Sequence, residues 1–280
     1  MKVIDAHVHF SNISKFKECA QSSTDVNYTK EGYLSETSSI EVVKTICMGL
    51  TETSLGGFPD KKAQTPMCAD LESSMPEGMH LCLGINPHTL SERNLAETEE
   101  IIRNNLRVVG MKIYAGYYHV DINDRIYNDV YDLAEKHDKT IVIHTGDTYS
   151  SRGLLKYAHP LCVDELAVSR PDLRIVACHM GAPWVFDACE VALKNPNVYI
   201  DTSGLFVGNK EYIKYVAAES LLIDRYLQAL EFLNNYNKII YGTDWPFAPM
   251  SAYFEFCKKL IPVEAHEKVF YENAVKVYKL

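Results

Sequence analysis

Eight short apolar runs recur along the chain, separated by stretches of mixed polarity. They are Val3–His9, the second within Glu41–Leu50 (EVVKTICMGL), Met79–Asn86 (MHLCLGIN), Val108–Tyr114 (VVGMKIY), Thr140–Thr145 (TIVIHT), Arg174–His179 (RIVACH), Val198–Thr202 (VYIDT) and Ile239–Thr243 (IIYGT). Most are near-continuous and rich in Val and Ile, which suits strands covered on both faces, as in a parallel sheet.

The intervening segments carry helical spacing and helical punctuation. Ser91 caps a helix predicted over Glu92–Leu106, with acidic residues early and Arg103 and Arg107 late. Asp124–His137 places Ile126, Val130, Leu133 and Ala134 on one stripe. Pro183 fits the first turn of a helix over Trp184–Lys194, which Asn195-Pro196 ends. Residues 209–235 have room for two helices, and 265–280 close the chain helically. The long first connection, residues 11–40, predicts short helices near Ile13–Ala20 and Thr29–Thr37.

Eight strands alternating with helices leave a closed (β/α)8 barrel or an open doubly wound sheet. No G-x-G-x-x-G follows a strand and no P-loop occurs, so the nucleotide-binding form of the open sheet has no support. The count of eight favours a single-domain α/β barrel over residues 1–280, with no repeat and no linker.

Composition narrows the class. Hydrophobic residues make up 47% of the 280 and charged residues 23%, which excludes a disordered or low-complexity chain. The net charge of -9 argues against nucleic acid or an anionic membrane as main partner, while leaving room for a small, even anionic, molecule. No run reaches the ~18 apolar residues of a membrane span. The start Met1-Lys2-Val3-Ile4-Asp5-Ala6-His7 lacks a secretory core. The eight cysteines form no C-x-x-C pair and read as reduced thiols of a cytoplasmic protein. Nothing speaks against a homo-oligomer.

A barrel keeps its chemistry at the C-terminal ends of its strands, and polar residues collect there. His7 and His9 end the first run, Lys112 lies near the end of the fourth, His144 and His179 end the fifth and sixth, and Asp244 follows the eighth. A period of two puts Asp5, His7 and His9 on the interior face and turns Ala6 and Val8 toward the helices. Imidazoles and a carboxylate suit zinc and similar divalent ions. Converging inside a barrel, such groups would be costly without a partner that satisfies them.

These motifs resemble the amidohydrolase superfamily. Ile4-Asp5-Ala6-His7-Val8-His9-Phe10 is similar to its D-x-H-x-H opening. Ile143-His144-Thr145-Gly146, Cys178-His179-Met180-Gly181 and Gly242-Thr243-Asp244-Trp245-Pro246-Phe247 resemble its later signatures, in order. Asn273-Ala274 resembles the ending of its metal-dependent hydrolase and decarboxylase branch, which includes the aminocarboxymuconate-semialdehyde decarboxylase type. The resemblance implies a distorted (β/α)8 barrel. It implies that His7, His9, His144 and Asp244 bind a divalent ion, most often zinc. It also implies that His179 acts as acid/base or holds a second ion. Lys112, 32 residues before His144, has three readings: a carbamylated bridge between two ions, a substrate-contacting cation or charge partner, and a structural lysine. One ion is the default.

The loops after the strands supply candidate pocket residues. Tyr114, Tyr117, Tyr118 and His119 follow the fourth strand, and Asp147, Tyr149 and Arg152 the fifth. Trp184 follows the sixth strand, and Trp245 and Phe247 the eighth. Lys112, Arg152, Tyr114, Trp184 and Trp245 are the expected substrate contacts, with Arg152 the cation for a carboxylate. His179 and Asp244 are the expected catalytic pair. The expected activity is hydrolysis of a C–N or C–O bond in a cyclic amide, lactone or ester by an activated water. The alternative is non-oxidative decarboxylation of an unsaturated or aromatic acid. A barrel nuclease fits less well, given the charge, and a structural metal would not need the additional His179.

Overall fold

The computed structural model describes residues 1–280. Its eight strands are β1 (Val3–Val8), β2 (Val42–Met48), β3 (Met79–Ile85), β4 (Val108–Ile113), β5 (Thr140–Ile143), β6 (Ile175–Ala177), β7 (Val198–Asp201) and β8 (Ile239–Ile240). They form one parallel sheet in chain order, each strand pairing with the next. Closure is irregular. Past the two-residue β8 the chain runs on beside β1, where Ala6 N–H donates to Tyr241 O (3.0 Å), Asp244 N–H to His7 O (2.8 Å) and His9 N–H to Trp245 O (2.8 Å). The seam of the distorted (β/α)8 barrel is thus the stretch that carries His7, His9 and Asp244.

Ten α-helices accompany the strands: α1 (Ser14–Cys19), α2 (Lys30–Ser39), α3 (Glu92–Asn104), α4 (Asn128–Lys136), α5 (Leu161–Ser169), α6 (Val185–Lys194), α7 (Lys210–Glu219), α8 (Asp224–Leu233), α9 (Met250–Leu260) and α10 (Asn273–Tyr278). Ser91 caps α3 as expected, its hydroxyl accepting from Asn94 N–H. The two helices expected within 209–235 are α7 and α8. Pro183 does not enter the first turn of α6. Trp184 is the cap residue there, and the helix starts at Val185. None of the helices is long and apolar enough to cross a membrane. All eight cysteines are free.

One expectation about the first strand needs correction. Between Asp5 and Val8 β1 advances three residues, while its partner β2 advances two, from Thr45 to Cys47. The extra residue is a bulge, which reverses the alternation of faces. Below it Ile4 and Ala6 pack in the barrel interior with Val142, Val176 and Ile240. Asp5 therefore faces outward, where it accepts from Thr243 Oγ1 (2.5 Å), Thr243 N–H (3.0 Å) and His7 N–H (3.2 Å). Burial pushes its carboxyl up to about 7, against those hydrogen bonds. Above the bulge His7 and His9 both turn inward.

The interior closes at the other end by α10, whose Ala274, Val277 and Tyr278 join the inner apolar cluster. Thr140 Oγ1 and Arg174 Nε both donate to Val277 O, at 2.7 and 3.0 Å. Residues 49–78, between β2 and β3, carry no helix and fold over the mouth. Met67 and Gly84 pair backbone to backbone (2.8 Å each way). A Cβ on Gly84 would lie 2.1 Å from Gly49 O, so only glycine admits that approach.

Asn273 fastens the short last strand. Its Nδ2 donates to Tyr236 O and Ile239 O, both at 2.7 Å, and the side chain is buried. Asn273→Ala leaves two carbonyls unsatisfied and should lower unfolding stability by about 2–4 kcal/mol in a urea titration. A loss below ~0.5 kcal/mol would show that this clamp does not hold β8.

Candidate active site

Tautomers can be assigned here because a carbonyl oxygen only accepts. His144 Nε2 lies 2.8 Å from Asp147 O and His179 Nδ1 2.9 Å from Ser203 O, so each of these nitrogens carries the proton. The remaining nitrogens, His144 Nδ1 and His179 Nε2, face each other at 3.1 Å as two lone pairs. Burial holds both rings' pKa down, well below the usual histidine value for His144, so neither is a ready imidazolium. Two acceptors at this range need a proton or a cation between them.

The same logic applies to His7. Its Nδ1 donates to Asp201 Oδ2 at 2.9 Å, which leaves Nε2 as the lone pair. That atom is buried without a hydrogen-bond partner and lies 3.4 Å from Asp244 Oδ1, itself buried and unpartnered. Burial, with the Lys112 charge adding to it, pulls the His7 imidazole down to about 4. Burial would raise the Asp244 carboxyl, but His9, His7 and His179 outweigh it and hold the group below the carboxylate range. His9 Nε2 lies 3.1 Å from the same Asp244 oxygen. Ligand atoms of His7, His9 and Asp244 all fall within 4.8 Å of one another. A bare lone pair facing an ionised carboxylate is the arrangement a divalent cation satisfies. Gly204 leaves the space open: at φ +60° it sits where a Cβ would be 2.7 Å from Asp244 Oδ2 and 3.0 Å from His179 Nδ1.

Of the four expected ligands, His7, His9 and Asp244 bring their ligand atoms together, and His144 turns its free Nδ1 toward His179. Sequence reasoning passed over Asp201, Ser203 and Gly204. Asp201 ends β7 as Asp244 follows β8, so the strand-end rule that found one could have found the other. Besides His7, the Asp201 carboxylate accepts from His179 N–H (2.8 Å), Ser203 N–H (3.1 Å) and Ser203 Oγ (2.5 Å). Burial raises its pKa, yet His7 chiefly brings it below the usual range, so it stays ionised. His179 and Asp244 both adopt left-handed backbone, at φ 62° and 65°, which turns their side chains over the barrel mouth.

A cavity of about 420 Å³ opens above these residues. Lys112 reaches its floor, and Tyr114, Tyr117, Phe16, Phe58, Tyr149 and Phe247 wall it. Tyr117 packs edge-on against His144, with ring centroids 4.7 Å apart. Lys15 and Arg225 also line it. Arg225 Nη2 donates to Tyr226 Oη (2.9 Å), while its Nε is buried with no partner. Nothing in the sequence of α8 singled out that arginine.

Three expected substrate contacts fall elsewhere. Trp245 is wholly buried between the barrel and Tyr28 and Tyr33, because the interior-facing position after β8 is taken by Asp244. Trp184 caps α6 and packs on His159. Arg152 directs Nη2 at the carbonyls of Gly56 (3.0 Å), Gly57 (3.1 Å) and Phe58, so it braces the turn that delivers Phe58 to the cavity wall. Lys112 and Tyr114 do line the cavity.

The chain matches the family model described as Amidohydrolase over residues 4–280. No protein of curated function matches it in sequence. Among solved structures it is similar to an uncharacterised TIM-barrel protein from Bordetella bronchiseptica, at TM-score 0.72 and 19% identity over 99% of this chain and 98% of the other. It is also similar to a probable 2-pyrone-4,6-dicarboxylic acid hydrolase from Acinetobacter baumannii with citric acid bound, at TM-score 0.66 and 15% identity over 100% of both chains. A third is 5-carboxyvanillate decarboxylase from Novosphingobium aromaticivorans, complexed with manganese and 4-hydroxy-3-methoxy-5-nitrobenzoic acid, at TM-score 0.64 and 12% identity over 99% and 96% of the two chains. At these identities the likeness is one of fold, and it is the family model, spanning the strand ends that bear the histidines and Asp244, that makes this chain a member of the amidohydrolase family and an enzyme.

Proposed function

We propose that the protein is a metal-dependent hydrolase that cleaves a C–N or C–O bond of a small, flat, anionic molecule such as a cyclic amide, lactone or ester. The observation that carries this reading is His7 Nε2, buried without a hydrogen-bond partner, set 3.4 Å from the likewise unpartnered Asp244 Oδ1. His7, His9 and Asp244 hold the ion, and His144 completes the set from the side of His179. One ion is proposed, and zinc suits three imidazoles and a carboxylate. Bound there, it supplies a Lewis acid that activates water and polarises a carbonyl.

The residues supply the rest. Asp244 Oδ1 is the acceptor for the proton of the attacking water. His179 Nε2, neutral and unprotonated, is the second acceptor, and once protonated it is the donor to the leaving group. Asp201 and Ser203 keep His7 and His179 in the tautomers these roles require. The aromatic walls fit a planar group. Lys112 on the floor, with Arg225 and Lys15 lining the cavity, suits negative charge. Arg225 replaces Arg152 as the proposed carboxylate partner, because its Nε is an unpaired donor while Arg152 is spent on the loop.

The decarboxylase reading keeps two points in its favour. The cavity is walled by aromatic rings, as an aromatic acid would require, and a manganese-containing carboxyvanillate decarboxylase shares the fold. Turnover in ¹⁸O-water separates the two. Hydrolysis places the label in the product, and carbon dioxide release from an unlabelled product would overturn it.

Three variants test the site. His7→Ala with His9→Ala should abolish bound metal and turnover together, read by elemental analysis and assay; retained activity would sink the reading. Asp201→Asn should weaken metal affinity by roughly 10–100-fold, since it frees the His7 tautomer. Arg152→Ala should loosen the 56–58 turn and raise KM more than it lowers kcat; a pure loss of kcat would instead mark Arg152 as part of the chemistry.

A further inference from the structure

Lys112 and Cys178 meet inside the barrel, beneath His7 and His179. Lys112 Nζ and Cys178 Sγ lie 2.8 Å apart, and both residues are essentially without exposure. An N–H···O bond runs about 2.7–3.2 Å, and the larger radius of sulfur moves an N–H···S contact outward. The 2.8 Å separation is therefore compressed. Nζ makes no other hydrogen bond and no ion pair. None of the other seven cysteines has a lysine amine bonded to its sulfur. Two elements on either side of β5 hold the pair: Lys112 is rooted in β4, and Cys178 follows β6 directly. The two atoms cannot part without a change of rotamer or a shift of strands. Lys112 lines the cavity, which gives a small oxidant a route to the pair.

We propose that Lys112 and Cys178 are a modification site, at which oxidation joins them through one oxygen as an Nζ–O–Sγ bridge. The oxidant is dioxygen. One N–H and the S–H bond break, N–O and O–S bonds form, and the second oxygen atom leaves as water with both hydrogens. Nitrogen and sulfur each give up two electrons, and dioxygen takes the four. An ordinary buried cysteine is inert; what sets this one apart is an amine at bond-forming range. The bridge replaces the lysine amine on the cavity floor with a weakly basic N–O nitrogen, any ammonium proton passing to solvent, and a thiol reductant restores the amine. This inference does not rest on the hydrolase reading.

Peptide mass spectrometry of the full-length protein, purified under reductant and then held in air, tests it. The expected result is a linked pair of peptides, one containing Lys112 and one Cys178, heavier than their sum by about 14 Da, one oxygen in and two hydrogens out. Dithiothreitol should release it. The link should be absent from Cys178→Ser and from Lys112→Met, so either variant suffices if the other fails to fold. Gains of about 16 or 32 Da confined to the Cys178 peptide would be simple sulfur oxidation and would overturn the bridge. So would a link lighter by two hydrogens with no oxygen, or no change at this pair while other thiols oxidise.

Discussion

The buried carboxylate of Asp201 governs the site. An ionised group at the top of an apolar barrel costs several kcal/mol in desolvation unless donors surround it. Here His7 Nδ1, His179 N–H, Ser203 N–H and Ser203 Oγ all point at it. Each of those bonds has a consequence beyond stability. The first fixes the tautomer of His7 and bares Nε2. The second holds His179 in its left-handed turn. The last two set Ser203, whose carbonyl then fixes the tautomer of His179. One acidic residue at the end of β7 thereby decides which nitrogen of two rings is free to act.

The arrangement also depends on a local irregularity of the sheet. In a strand of strict period two, His7 and His9 would share a face with Asp5, and one carboxylate more would crowd the interior. The bulge in β1 puts Asp5 outside, against Thr243, while both histidines stay within. Asp5 then ties the outer side of the β1–β8 seam and His7, His9 and Asp244 line its inner side. Backbone bonds from Ala6, His9 and Asp244 close the seam, and the Asp5–Thr243 hydrogen bonds brace its outer side.

How far the chain announced this follows from what kind of information each feature uses. The eight apolar runs became eight strands because burial on both faces leaves a composition signal that periodicity reads directly. His7, His9, His144, His179 and Asp244 were legible because strand ends are where a barrel exposes polar groups. The side of β1 that Asp5 occupies was not, since a bulge is set by the pairing partner and not by the strand itself. Trp245, Trp184 and Arg152 misled for a related reason. Aromatics and cations after a strand satisfy core, cap or loop equally well, and only the path of the loop chooses. Arg225 lies on a helix about twenty residues before Asp244, where no local pattern points into the cavity.

The proton inventory of the site bears on the chemistry it is proposed to run. With Nε2 of His144 and Nδ1 of His179 and His7 committed to fixed acceptors, every remaining ring nitrogen on these three residues is a lone pair, and Asp244 is ionised. These three rings and Asp244 therefore offer acceptors and no uncommitted donor. Hydrolysis suits such a site, because the proton taken from water is the one later handed to the leaving group and the cycle closes on itself. Decarboxylation of an anionic acid consumes a proton at carbon in each turnover. There the acceptors would first have to be charged from solvent, through a cavity whose walls are mostly aromatic. The proton balance thus separates the two proposed reactions: hydrolysis closes its own cycle, while decarboxylation draws one proton from solvent in each turnover.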